Sequence, residues 1–235
     1  MTHQRNNQGF TLIEIAIVLV IIGLLLGGIL KGQELITSAR VRNLISQQDG
    51  IKAAFYGFQD RFRALPGDYS QADKNIQMTT TGANANGNGD GQIIPLIGTP
   101  IESTLAWEHL ARSGFINGNY AYGSGAPMET TTPKNPYGQF LQLGYDNVYA
   151  VPVGQTAISR HNLKTGSQIP AEIMAEVDRK VDDGNGATGS FVFAKFTATG
   201  SLPADPAATG ACMDTTGVWT LVGGTQVNCG GASLM

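Results

Sequence analysis

Oxygen-bearing side chains alternate with glycine in Asn86-Gly87-Asn88-Gly89-Asp90-Gly91-Gln92, a pattern in which a loop can wrap oxygens around a hard cation while glycine permits the sharp turn. The spacing resembles the front half of a calcium loop. Where an EF-hand carries its closing bidentate Glu this chain has Ile97, and Glu102 offers a carboxylate only by a different path. Asp68 and Asp73 are further candidate donors from a neighbouring segment. Calcium is therefore the candidate cofactor, with Asn86, Asn88, Asp90, Gln92 and Glu102 as its candidate ligands. The competing reading is that Asn, Asp and Gly here simply make turns.

Other motif-like runs carry less chemistry. Gly184-Asn185-Gly186-Ala187-Thr188-Gly189 spells GxGxxG, but it follows a predicted helix and precedes a predicted strand, the reverse of the dinucleotide-binding context. It reads as a turn, and Asp182 and Asp183 beside it read as helix-end residues, with a second cation site as the alternative. Lys164-Thr165-Gly166 shares its letters with a penicillin-binding motif, yet no S-x-x-K precedes it to supply a nucleophile. A hairpin turn is the expectation there. The histidines are His3, His109 and His161, too little material for a triad or a zinc site. His109, beside Trp107, reads as a packing or helix-surface residue. No nucleophile, base and orienting group come together, so the chain is read as a non-enzyme without catalytic residues.

Cys212 and Cys229 lie inside a Gly/Thr-rich stretch and lack CxxC spacing. The expectation is a disulfide closing a small loop, which implies an oxidising compartment. Charged residues make up only 14% of the chain and the net charge is -3, a balance unsuited to gripping phosphates. No nucleic-acid partner is expected.

One more carboxylate stands apart. From Phe10 to Leu30 the chain reads FTLIEIAIVLVIIGLLLGGIL, about 20 residues and enough to span a bilayer as a helix. Glu14 interrupts that run, and an ionisable group in lipid costs about 2.5–3.5 kcal/mol on insertion scales and marks function. Gly23, Gly27, Gly28 and Gly32 are spaced so that helices can approach closely. No small-residue secretory cleavage site follows Leu30. Positive charge leaves the orientation ambiguous, with Arg5 before the span and Lys31, Arg40 and Arg42 after it.

Gly9, then Phe10, Thr11, Leu12, Ile13 and Glu14, resemble the class III signal of type IV pilins and type II secretion pseudopilins. The resemblance implies that a prepilin peptidase cuts after Gly9 on the cytoplasmic side and methylates the amine of Phe10. It also implies an N-in single pass through the inner membrane, with a periplasmic head that later joins a fibre. In such a fibre the new amine of Phe10 can pair with Glu14 of a neighbouring subunit, and only a trimmed chain has that amine. Implied partners are the peptidase, other pilin-like subunits and an inner-membrane assembly platform. The functional expectation is a structural subunit of a type IV pilus or pilus-like fibre. A minor pseudopilin of a type II secretion system and a fibre-tip binding pilin are the alternatives.

The elements that must carry these residues follow from periodicity. Leu44, Ile51, Phe55, Phe58 and Phe62 recur at helical spacing, so the first helix should run on to about Phe62 and stop before Pro66-Gly67. A second helix is predicted from Glu102 to about Ser113 and a third from Pro170 to Val181. Strands are predicted at Gln139–Leu143, Val148–Val153 and Ser190–Thr199. The organisation expected is a leader at 1–9, a membrane or filament-core helix at 10–30, its amphipathic continuation at 31–65 and a head at 66–235. The fold class is α+β, a long N-terminal helix packed on a globular head with an antiparallel sheet.

Overall fold

The computed structural model describes residues 12–95, 101–198, 202–203, 211–221 and 226–235. Contacts divide the chain into two compact units, Met1–Ala39 and Arg40–Met235. Helix α1 (Leu12–Phe62) runs through the boundary.

In the first unit the large apolar side chains of α1 from Leu12 to Leu30 are exposed. A window of 18 residues in this helix has mean hydropathy 2.9 and none of it is buried, the profile of a helix that is solvated by something other than water. A Cβ added at Gly23, Gly27, Gly28 or Gly32 would meet nothing within 4 Å.

The second unit opens on the amphipathic part of α1. Val41, Leu44, Gln48, Ile51, Ala54, Phe55 and Phe58 are buried, a stripe at spacings of three and four that keeps one face on the core. The helix ends as the sequence predicts, with Pro66 unable to donate and Gly67 at φ 88°. A Cβ at Gly67 would sit 2.3 Å from the carbonyl oxygen of Glu102, so only glycine brings the chain back this close to the next helix.

Short helix α2 (Ala72–Asn75) and a 3₁₀ turn at Gly82–Ala85 lead to α3 (Glu102–Arg112). Strands β1 (Gln142–Asp146), β2 (Arg160–Lys164), β3 (Phe191–Phe193) and β4 (Gly231–Leu234) form one sheet in the order β1-β2-β4-β3. All its pairings are antiparallel. Helix α4 (Ala171–Val181) lies between β2 and β3 in the chain. Both sheet edges are covered: the Tyr145 N–H donates to the Ile93 carbonyl and the Ala150 N–H to the Phe193 carbonyl, which blunts edge-to-edge pairing.

The core has two main parts, both reached by α1. Val41 and Leu44 pack with α4 residues Ile173, Met174 and Val177, with Phe191 and Phe193, and with Trp219. Ile51, Phe55 and Phe58 pack with Trp107 and Leu110 of α3 and with Leu143 and Leu163 of the sheet. This is the α+β architecture expected, a long N-terminal helix with an antiparallel sheet. The helices expected from Glu102 and from Pro170 form as α3 and α4.

The strands depart from expectation. Pairing begins at Gln142 and runs to Asp146, not over Gln139–Leu143, and Phe140 makes only an isolated bridge to Lys134. No strand forms at Val148–Val153: Tyr149 bridges Ala194, and beyond it Pro152 cannot donate to a ladder. Of Ser190–Thr199 only Phe191–Phe193 is strand, and Thr199 lies outside the described residues. Lys164-Thr165-Gly166 is no hairpin turn, because β2 ends at Lys164 and the chain proceeds to α4. Lys164 is buried and pairs with Asp146, while the Thr165 hydroxyl accepts the Gly231 N–H at 2.9 Å.

Candidate functional site

Glu14 occupies the first turn of α1 in the first unit, an acid near a helix N-terminus where the backbone dipole favours negative charge. Gly9 and Phe10, the expected cleavage and methylation residues, lie outside the described residues.

In the second unit the Asn86–Gln92 loop is held by carboxylates from elsewhere in the chain. Asp68, just past the end of α1, accepts N–H groups from Gly89 and Asp90 on Oδ1 (2.6 and 3.0 Å) and from Gly91 on Oδ2 (2.9 Å). Glu102, at the start of α3, accepts from Asn88 on Oε1 (3.2 Å) and from Ile94 on Oε2 (3.1 Å). Gly87 passes so close that a Cβ there would lie 2.2 Å from the Gly67 carbonyl oxygen. One carboxylate oxygen each of Asp68, Asp90 and Glu102 lies within 4.8 Å of the others. Burial pushes the pKa values of Asp68 and Glu102 up and the amide donors oppose it, with the neighbouring carboxylates adding to the rise.

Of the expected ligands the structure thus brings together Asp90 and Glu102, with Asp68 as their third. Asn86 Oδ1 accepts the Asp73 N–H at 3.0 Å, and Asn88 Oδ1 accepts the Asp90 N–H at 2.8 Å. Gln92 contributes its backbone N–H to Asp90 Oδ1 at 2.9 Å. Three hard oxygens suit a calcium-class cation. The amides on Asp68 and Glu102 also stabilise those charges without one.

His109 is buried in α3, not on the helix surface. Its Nδ1 accepts the Gly67 N–H at 2.9 Å, so the proton sits on Nε2, 3.0 Å from the Ala85 carbonyl oxygen. Burial lowers its pKa to about 4. Beside it the Glu108 carboxylate takes the N–H groups of Thr79, Thr80 and Tyr122 and the Thr80 hydroxyl. Burial raises the Glu108 pKa, and these donors more than offset it, leaving the group below its ordinary value.

The expected disulfide joins Cys212 to Cys229, with Cα atoms 5.6 Å apart and a sequence separation of 17. Its loop carries Trp219, whose Nε1–H donates to Asp178 Oδ2 at 2.7 Å across the core. Asp178, Asp182 and Asp183 each place one carboxylate oxygen within 4.8 Å of the other two. Burial, with the charges of Asp183 and Asp182, raises the Asp178 pKa to about 6. Sequence reasoning singled out Asp182 and Asp183 and missed Asp178. A signal was present: Ile173, Met174 and Val177 form the apolar stripe of α4, and Asp178 interrupts it.

Residues 4–30 match the prokaryotic N-terminal methylation motif. The chain carries a type IV pilin class III signal. No curated protein and no solved structure matches the chain. The motif ends where the exposed apolar run of α1 ends, at Leu30. Among the pilin-like features, the signal, the apolar helix with its Glu14 and the head disulfide stand together in one chain. Neither acidic cluster belongs to the matched segment.

Proposed function

We propose that this pilin-like precursor is a structural subunit of a type IV pilus or pilus-like fibre, assembled from the inner membrane after prepilin peptidase removes residues 1–9. The observation that carries the proposal is the methylation motif at residues 4–30, coinciding with an apolar helix interrupted by a carboxylate at Glu14. Cleavage frees a cationic amine at Phe10, and stacking of subunits supplies Glu14 as its counter-charge, so trimming licenses assembly. In this reading the head stands in the periplasm, the helices bundle in the fibre, and the peptidase, other pilin-like subunits and a membrane assembly platform are the partners.

Mass spectrometry of assembled fibres tests it. The N-terminus should be methyl-Phe10; finding Met1 retained in assembled material overturns the proposal. Deleting the gene and scoring surface pili and secreted protein separately distinguishes a pilus subunit from a minor pseudopilin, and loss of adhesion with pili intact marks a tip pilin.

Calcium at Asp68, Asp90 and Glu102 is the cofactor reading, supported by the convergence of those carboxylates. Asp90 is exposed and can be changed with little harm to packing, whereas Asp68 and Glu102 are buried. Calcium should therefore raise the melting temperature of the detergent-solubilised chain, and Asp90→Asn should reduce that rise. Equal melting in calcium and chelator removes the cofactor and leaves Asn/Gly turns organised by acids.

A further inference from the structure

We propose that Asn117, with Gly118 after it, is a modification site at which the chain converts a side-chain amide into a carboxylate without an enzyme. The Gly118 backbone nitrogen attacks Asn117 Cγ and gives up its proton. The bond from Cγ to the side-chain nitrogen breaks, ammonia leaves carrying that proton, and a succinimide ring closes. Water from solvent then opens the ring at either carbonyl, giving aspartate, or isoaspartate with the main chain rerouted through Cγ. Glycine favours the step because no Cβ shields the attacking nitrogen, and asparagine is the thermolabile partner. A hydrogen bond that occupies the glycine N–H or fixes the asparagine side chain must open before the ring can close.

The chain has four Asn-Gly pairs, beginning at Asn86, Asn88, Asn117 and Asn185, and their surroundings separate them. The Gly87 N–H donates to the Tyr69 carbonyl at 3.0 Å, while Asn86 Oδ1 accepts the Asp73 N–H. The Gly89 N–H donates to Asp68 Oδ1 at 2.6 Å, and both polar atoms of the Asn88 side chain are tied to Asp90. The Gly186 N–H donates to the Gly217 carbonyl at 2.9 Å, and the Asn185 amide is held by the Ala187 N–H and the Thr216 carbonyl. Asn117 and Gly118 are exposed, and among the described residues neither the Asn117 side chain nor the Gly118 N–H makes a hydrogen bond. Gly118 is required by the turn itself: its φ is 126°, and a Cβ there would lie 2.6 Å from Tyr120 Cε2. The bare attacking nitrogen comes with that requirement. Asn117 lines a groove of about 360 Å³ beside Gly50 and Ile51 of α1, where water can reach the ring. The new carboxylate adds negative charge at this groove, two residues from Asn119, whose Oδ1 accepts from Arg112 at 2.7 Å.

The full-length protein, solubilised in detergent and held at mildly alkaline pH, tests the site by peptide mass spectrometry, with the guanidinium-unfolded chain as reference. In the unfolded chain all of the Asn-Gly pairs should convert at similar rates. In the folded chain Asn117 should convert roughly tenfold or more faster than Asn86, Asn88 and Asn185, whose hydrogen bonds must open first. The rate at Asn117 should rise with pH, because the attacking nitrogen must lose its proton, and isoaspartyl methyltransferase should label the product. Asn117→Gln, at an exposed position without hydrogen bonds, should fold normally and lose the first acidic species that the native chain forms on ion exchange. Conversion of Asn86, Asn88 or Asn185 as fast as Asn117 in the folded protein overturns the site. So does an Asn117 amide that persists in the folded protein after the unfolded chain has converted.

Discussion

At the residue scale, two ionisable groups are defined by what surrounds them. His109 must stay neutral, because protonating Nδ1 would turn it from an acceptor into a donor facing the Gly67 N–H. Its pKa falls from 6.5 to about 4 on burial, so the unfolded chain binds the proton more readily than the folded one. Stability from this group is therefore complete above about pH 6.5 and is lost as pH falls toward 4, by up to roughly 3 kcal/mol. Histidine NMR should find the Nε2–H tautomer of His109 persisting at pH 5; a His109 titrating near 6.5 contradicts the buried geometry. Glu14 is the converse case, a carboxyl group set in an apolar run where it makes insertion costlier. Glu14→Val should insert at least as well as the native chain but enter fibres poorly, measured as sheared-fibre content against total membrane protein. Normal incorporation removes Glu14 from assembly.

At the scale of the element, the amphipathic half of α1 and the disulfide loop each have a load that substitution can measure. Phe58 is fully buried on α1, with its ring 5.9 Å from that of His109 and 4.6 Å from that of Phe62. Phe58→Ala should cost about 3–5 kcal/mol, read by denaturant melting of the solubilised protein; a loss below 1 kcal/mol would mean that this face of α1 is not core. The Cys212–Cys229 bridge closes a short loop and should contribute roughly 3 kcal/mol by restricting the unfolded chain. Both thiols should resist alkylation until reduced. Reduction should also loosen the Trp219 anchor on Asp178, because the indole enters the core from inside that loop. Helices α3 and α4 were legible because each is a short-range structure: Gly114, at φ 83°, stops the first, and Pro170 stands just before the second. Strands β2 and β4 read RHNLK and GASL and carry no alternation, so only their partners make them strands.

At the scale of the whole molecule, the chain combines a processing signal, an exposed apolar helix and a head with its own core. Gly9→Ala should slow or block trimming and leave a longer, membrane-held form detectable by mass spectrometry, with no contribution to fibres. Full processing and normal fibre entry of that variant would separate Gly9 from the signal. The head should remain folded in the uncut precursor, since its core is built from Val41 onward. Circular dichroism and proteolysis of the Gly9→Ala protein check this.

By itself the sequence determined the features that depend on neighbours along the chain. These are the motif at residues 4–30, the apolar run with Glu14, the stripe from Leu44 to Phe58 and the stop at Pro66-Gly67, because cleavage motifs, helical periodicity and backbone breakers are local. It also marked Cys212 and Cys229 as a pair by their number and setting. Only the tertiary structure decided which carboxylates meet. Asp68 is separated from Glu102 by the Asn/Gly loop that both organise, and Asp178 is joined to its indole partner by a disulfide loop more than 30 residues further on. Such encounters are set by packing between distant elements, whose energy is spread over many apolar contacts. No spacing in the chain records them.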